Sequence, residues 1–249
     1  MELDIFTLFL LFLAGAFAGF VDSIAGGGGI ITLPALLAVG IPPHQALATN
    51  KLQSSFGSFT ATLNYAKKGL MKPKELLLGV VFTFIGAVSG AVAVQFFDAK
   101  SLEDMIIFML IVIFLYTLAS PNLGAIHTTA KLKKPLFYTL FGLLIGFYDG
   151  FFGPGTGSFW TMALILLLGL DLKGATAQTK LFNFTSNIAS LLMFIYAGLV
   201  LWVAGLVMGA GQIIGAYLGS NLVAKKEVKF IRVFFLIVVG ITILKLMLT

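Results

Sequence analysis

The chain contains no cysteine, which removes disulfides and thiolate chemistry from consideration. Charge is nearly as scarce: 10% of the residues are Asp, Glu, Lys or Arg, against about 25% in a soluble domain. With 59% hydrophobic residues and a mean hydropathy of +1.05, it cannot cover itself with a solvated face. It reads as an integral membrane protein. The two histidines, His44 and His127, stand apart in loop-like stretches and make no metal site. No basic leader precedes the first apolar run, where Glu2 and Asp4 stand instead, so that run reads as a retained span. The net charge of +6 resides on residues at span ends, where topology and lipid head groups explain it better than nucleic acid does.

What is abundant is apolar length. A helix needs about 20 apolar residues to cross roughly 30 Å of hydrocarbon. Full-length candidates are residues 46–66, 75–97, 102–120, 176–197, 202–223 and 230–248, with Gly198 dividing the long uncharged run 181–224. Segments 5–21 and 136–150 are somewhat short, and 30–40 and 158–168 much shorter. At about 1.5 Å per residue these last two cover half a bilayer, so crossing and re-entry both stay open. Basic clusters at Lys67, Lys68, Lys72 and Lys74, at Lys131, Lys133 and Lys134, and at Lys225, Lys226, Lys229 and Arg232 mark cytoplasmic loops. The loops near 98–101 and 198–201 then face outward, as do both termini.

Glycine, at 28 residues, is the other surplus, and part of it repeats. Gly19, Phe20, Val21 and Asp22 precede four glycines at 26–29; Gly146, Phe147, Tyr148 and Asp149 precede Gly153, Pro154, Gly155, Thr156 and Gly157. The offset is 127 (146 − 19), growing to 129 where Lys51 meets Lys180 (180 − 51). The chain thus divides into repeats 1–134 and 135–249. Gly69 lies in a basic loop whereas its partner Gly198 lies in an uncharged one, so the expected fold is all-α: two inverted-topology repeats with helices broken after glycine-rich motifs.

Three sets of residues are candidates for chemistry. Gly27, Gly28 and Gly29, with Gly155, Thr156 and Gly157, break a helix and expose N–H groups at the start of the next, which favours an anion. Neither cluster is a nucleotide motif, because no Lys-Ser/Thr pair follows it and no strand precedes it. Lys51 and Lys180 lie inside predicted spans beside Asn50, Gln53, Gln178 and Asn183. A lysine near a helix end can snorkel to the interface. Recurrence at matched positions beside amide donors points instead to an anion site. Asp22 and Asp149 read either as proton carriers within the membrane or as caps for the exposed N–H groups. An intramembrane aspartyl protease would also place two aspartates in lipid, but the Gly-x-Gly-Asp order it needs is absent here.

With these residues assembled, the chain resembles the TauE/SafE family of sulfite and organosulfur-anion exporters. The likeness is carried by Gly-Phe-Val-Asp-Ser at 19–23 with its glycine run, by Ala-Leu-Ala-Thr-Asn-Lys-Leu at 46–52, and by their second-half counterparts. It covers nearly the whole length. The resemblance implies a multi-span permease of the cytoplasmic membrane for small anions such as sulfite or sulfonates, with no cofactor. Gln178 and Thr179 replace Thr49 and Asn50 in the second half, so the half-sites are expected to contribute unequally. The expected mechanism is alternating access, proton-coupled through Asp22 and Asp149, with an anion channel as the rival. Expected partners are the small anion and membrane lipid, with a homodimer left open.

Overall fold

The computed structural model describes residues 3–119 and 129–223. Among them every regular element is helical. They form α1 (Ile5–Ala25), α2 (Gly29–Ala38), α3 (Pro43–Lys67), α4 (Leu77–Ala93), α5 (Ala99–Ala119), α6 (Lys134–Phe151), α7 (Thr156–Leu168), α8 (Leu172–Tyr196) and α9 (Trp202–Val223). The 230–248 candidate span, His127 and the basic cluster at 225–232 lie outside the described residues.

Local chemistry sets the helix starts. Asp4 caps α1 by accepting from the Thr7 N–H at 2.6 Å, and Asp171 caps α8 through the Gly174 N–H at 3.3 Å. Proline in the first turn opens α3 and α6. Ahead of α5, Asp98 accepts from the Ser101 hydroxyl at 2.6 Å and from its N–H at 2.9 Å. These donors, the hydroxyl foremost, hold the Asp98 carboxyl below its ordinary value of 3.8. The stabilisation from this cap is therefore present at neutral pH and lost as the pH falls through the lowered value.

The helix lengths refine the sequence reading. The first helix runs 21 residues, past the expected end at 21, so Asp22 sits in its last turn. Helix α6 likewise carries Asp149 in its last turn. The divisions expected after the glycine motifs and at Gly198 are present. Helices α2 and α7, of 10 and 13 residues, extend about 15 and 20 Å, well short of a bilayer.

Burial follows lipid rules. Ile5, Phe6, Phe108, Leu144 and Val203 point outward, whereas Thr49, Asn50, Lys51, Gln53, Lys180, Asn183, Asn187 and Gln212 are buried. Among the described residues, three helical stretches, Ile5–Ile24, Pro73–Phe96 and Trp202–Val223, are long and apolar enough to cross a membrane. Helices α3 and α8, at 25 residues each, have the length but carry the polar groups inward.

Two tight seams assemble the bundle. Helix α1 packs along α9, and α4 along α6. Small residues let the backbones approach: a Cβ on Gly215 would stand 1.8 Å from the Ala16 carbonyl oxygen, and one on Gly150 2.1 Å from that of Ala87. Gly215→Val should therefore lower stability by about 1–3 kcal/mol through overpacking. Thermal unfolding in detergent measures this; Leu218→Ala, on the exposed face of α9, should leave the midpoint nearly unchanged.

Candidate functional site

Both helix breaks follow from glycine backbone. Gly26 and Gly27 take φ of 78° and 101°, and Gly153 and Gly155 take 95° and 81°, a left-handed region that side-chain-bearing residues rarely enter. Each break is then tied down. Tyr65 on α3 donates to the Ser23 carbonyl at 2.6 Å, and Asp22 accepts from the Gly28 N–H at 3.2 Å. In the second break the Tyr148 hydroxyl donates to the Pro154 carbonyl at 2.6 Å, and Thr156 to that of Gly153 at 2.7 Å.

The breaks meet each other. A Cβ on Gly26 would stand 2.5 Å from the Gly157 carbonyl carbon, and one on Gly157 2.7 Å from the Gly26 Cα. Helices α3 and α8 run beside this junction and bring the lysines to it. Lys51 on α3 binds Asp149 of α6 at 2.6 Å; Lys180 on α8 binds Asp22 of α1 at 3.0 Å. The exchange is reciprocal, because each half supplies the cation for the other half's carboxylate. Lys51 also donates to the Asp149 backbone carbonyl, and the Ser186 hydroxyl donates to the Asp149 carboxylate. Each aspartate faces a lysine, which is not the shared-proton dyad of a protease.

At the junction lies a cavity of about 30 Å³, room for about one or two water molecules. Its walls include Asp22, Gly27, Gly28, Gly29, Asn50, Asp149, Thr156, Gly157 and Asn183 from the residues read in the sequence. The lysines stand behind their carboxylates, fully buried and outside the lining. Three others are placed elsewhere. Gln53 is buried in an amide network, bonding Thr32 at 3.0 Å, Asn50 at 2.8 Å and Gln212 at 2.5 Å. Gln178 accepts from the Tyr138 hydroxyl at 2.9 Å, and Gly155 packs on Ile113. The Asp22 bond to the Gly28 N–H matches the capping reading of that residue.

Sequence reasoning missed two lining residues, Ser54 and Gln212; Gly153 belongs to the second glycine motif and Asn187 to the polar neighbourhood of Lys180. The repeat offset held a signal for Ser54, which matches Asn183 at 129 (183 − 54). Gln212 is the lone amide in the apolar stretch 202–219. Asn187 contacts Ser58, its own counterpart by the same offset, at 3.4 Å.

Polar side chains converging on paired helix breaks inside a lipid-embedded bundle define the membrane-transporter class. The chain belongs to the TauE/SafE family: its residues 11–246 match the family model described as sulfite exporter TauE/SafE. It is 44% identical over 238 residues to the probable membrane transporter protein YfcA of Escherichia coli, covering 96% of this chain and 88% of that one. A probable membrane transporter protein of Haemophilus influenzae is 44% identical, covering 93% and 91%. The more distant YunE of Bacillus subtilis, also a probable membrane transporter protein, is 27% identical, covering 89% and 90%. These relatives are named as transporters, not enzymes. No solved structure matches the chain.

A buried ion pair stripped of one member leaves an uncompensated charge, at a cost of about 3–5 kcal/mol. Lys51→Ala should therefore lower unfolding stability by about that amount, and Lys51→Met combined with Asp149→Leu should recover most of the loss. Chemical unfolding in detergent measures both, and equal stability of wild type and single variant would show that the pair contributes nothing.

Proposed function

We propose that this protein is a secondary transporter that moves a small oxyanion, of the sulfite or sulfonate type, across the cytoplasmic membrane by alternating access. The observation that carries the reading is the reciprocal pairing of Lys51 with Asp149 and of Lys180 with Asp22 around a polar cavity at two facing helix breaks. Broken helices at matched positions of two halves are the usual address of a transporter site. The family's description as sulfite exporters supports the substrate class.

In this reading the halves 1–134 and 135–249 are inverted repeats that rock against one another. The basic loop at Lys67, Lys68, Lys72 and Lys74 faces the cytoplasm and both termini face outward. The substrate meets Asn50, Asn183 and the N–H groups at the starts of α2 and α7, where the helix dipoles favour negative charge. Gln53 orients Asn50 through their 2.8 Å bond. The lysines supply the positive charge, and Asp22 and Asp149 carry the coupling protons. With room for only about one or two waters, the cavity represents an occluded stage that must widen to admit an anion.

The test is flux. Purified protein in liposomes should move labelled sulfite in a saturable manner, accelerated by an inward proton gradient and capable of exchange with unlabelled sulfite on the opposite side. Flux that rises without saturation, insensitive to substrate on the far side, would reveal a channel in place of a carrier.

A further inference from the structure

The two ion pairs occupy matched positions in the sequence, yet they are held very differently. Asp149 is gripped from several directions: Lys51 binds one carboxylate oxygen at 2.6 Å, Ser186 the other, and Lys51 reaches the residue's own carbonyl as well. The side chains of that pair are 1% and 5% exposed. Asp22 is held by Lys180 at 3.0 Å and by the Gly28 N–H at 3.2 Å, and its side chain is 19% exposed toward the cavity. Each carboxylate accepts from two donors, but the Asp149 pair is shorter, more deeply buried and clamped again by the Lys51 bond to the backbone carbonyl. It is therefore the tighter pair, and the Asp22 pair is the exchangeable one.

A second observation lies one turn along α8. Asn183 lines the cavity and is almost wholly buried, yet its Oδ1 has no hydrogen-bond partner. A buried amide left in that condition is costly unless something else satisfies it. Its Oδ1 calls for a donor such as a water, and its NH2 is the group that can meet an incoming oxyanion. Lys180 is close by: a Cβ on Gly157 would stand 3.1 Å from the Asn183 Nδ2 and 3.5 Å from the Lys180 Nζ. A cation and an amide donor therefore flank the start of α7, and the Asp22 carboxylate already holds the cation.

We propose that Asp22 is a tethered stand-in for the substrate anion. Lys180 and Asn183 form the anion subsite, and an incoming oxyanion takes the place of the Asp22 carboxylate on the Lys180 ammonium. The Lys51–Asp149 pair stays shut while the anion is taken up, opens only when Asp149 accepts its proton, and until then serves as the strut against which the other half moves. This inference rests on the transporter reading of the same cavity and adds a division of labour that the repeat alone does not contain. It also explains how a site with no net charge takes up an anion: the charge is released only when the internal competitor swings away.

The proposal makes an unusual demand, since removing a charged residue from the site should strengthen binding. Asp22→Asn keeps an oxygen for the Gly28 N–H and frees Lys180. Full-length protein in nanodiscs, titrated with sulfite and separately with methanesulfonate, should bind at least about tenfold more tightly in this variant than in wild type, in line with the coupling of close charge pairs. Asp149→Asn should reduce stability without tightening, and Asn183→Leu should weaken binding in both the wild-type and the Asp22→Asn backgrounds. Weaker or unchanged anion binding in Asp22→Asn, or tightening in Asp149→Asn instead, would overturn the assignment. Flux separates this inference from the transport reading. Tightening in Asp22→Asn without wild-type sulfite flux would sink the carrier and keep the subsite; flux with no tightening would do the reverse. Failure of both ions to bind either protein, with no flux, would remove both.

Discussion

Everything in this bundle depends on neutralising two ammonium groups that lipid would not tolerate alone. An unpaired lysine in the bilayer interior is expensive, and each lysine here is matched by a carboxylate from the opposite half of the chain. The halves are therefore not independent bodies that happen to touch. Each leaves a bare charge without the other, which ties assembly of the fold to assembly of the site.

Glycine makes that geometry reachable. The breaks at 26–28 and 153–155 have to come within van der Waals distance of each other for α3 and α8 to present their lysines across the junction. Any side chain at Gly26 or Gly157 would push the breaks apart. The same residue type then works on a larger scale along the α1–α9 and α4–α6 seams, where Gly215 and Gly150 accept a carbonyl oxygen in the space a Cβ would fill. Close backbone contact substitutes for the hydrophobic drive that a lipid solvent does not supply.

The halves nevertheless diverge inside. The Thr32–Asn50 contact at 2.5 Å recurs as Thr161 with Thr179 at 3.1 Å, both at the 129 offset. The Gln53–Gln212 bond does not recur. Its counterparts are Phe182 and Thr83; Phe182 stacks on Trp160 with ring centroids 4.4 Å apart, and the Thr83 hydroxyl is buried without a partner. Of the four amides that line the cavity, Asn50 comes from the first half and Asn183, Asn187 and Gln212 from the second. The interior is thus less symmetric than the repeat in the sequence.

The sequence by itself determined the solvent, the secondary structure and the positions of the breaks. Apolar run length, basic loop clusters and the recurrence of glycine beside Asp22 and Asp149 are local signals, and local chemistry is what decides helices, caps and hinges. It also singled out Lys51, Lys180, Asn50 and Asn183. It did not indicate that each lysine would reach for the other half's carboxylate, that Gln178 would turn away to Tyr138, or that Gln212 would join the cavity from α9. Those outcomes depend on which helices become neighbours across 40 to 159 residues of chain. Only the packed bundle, by excluding water and bringing buried charges and amides within a few ångströms of partners from distant helices, chose among them.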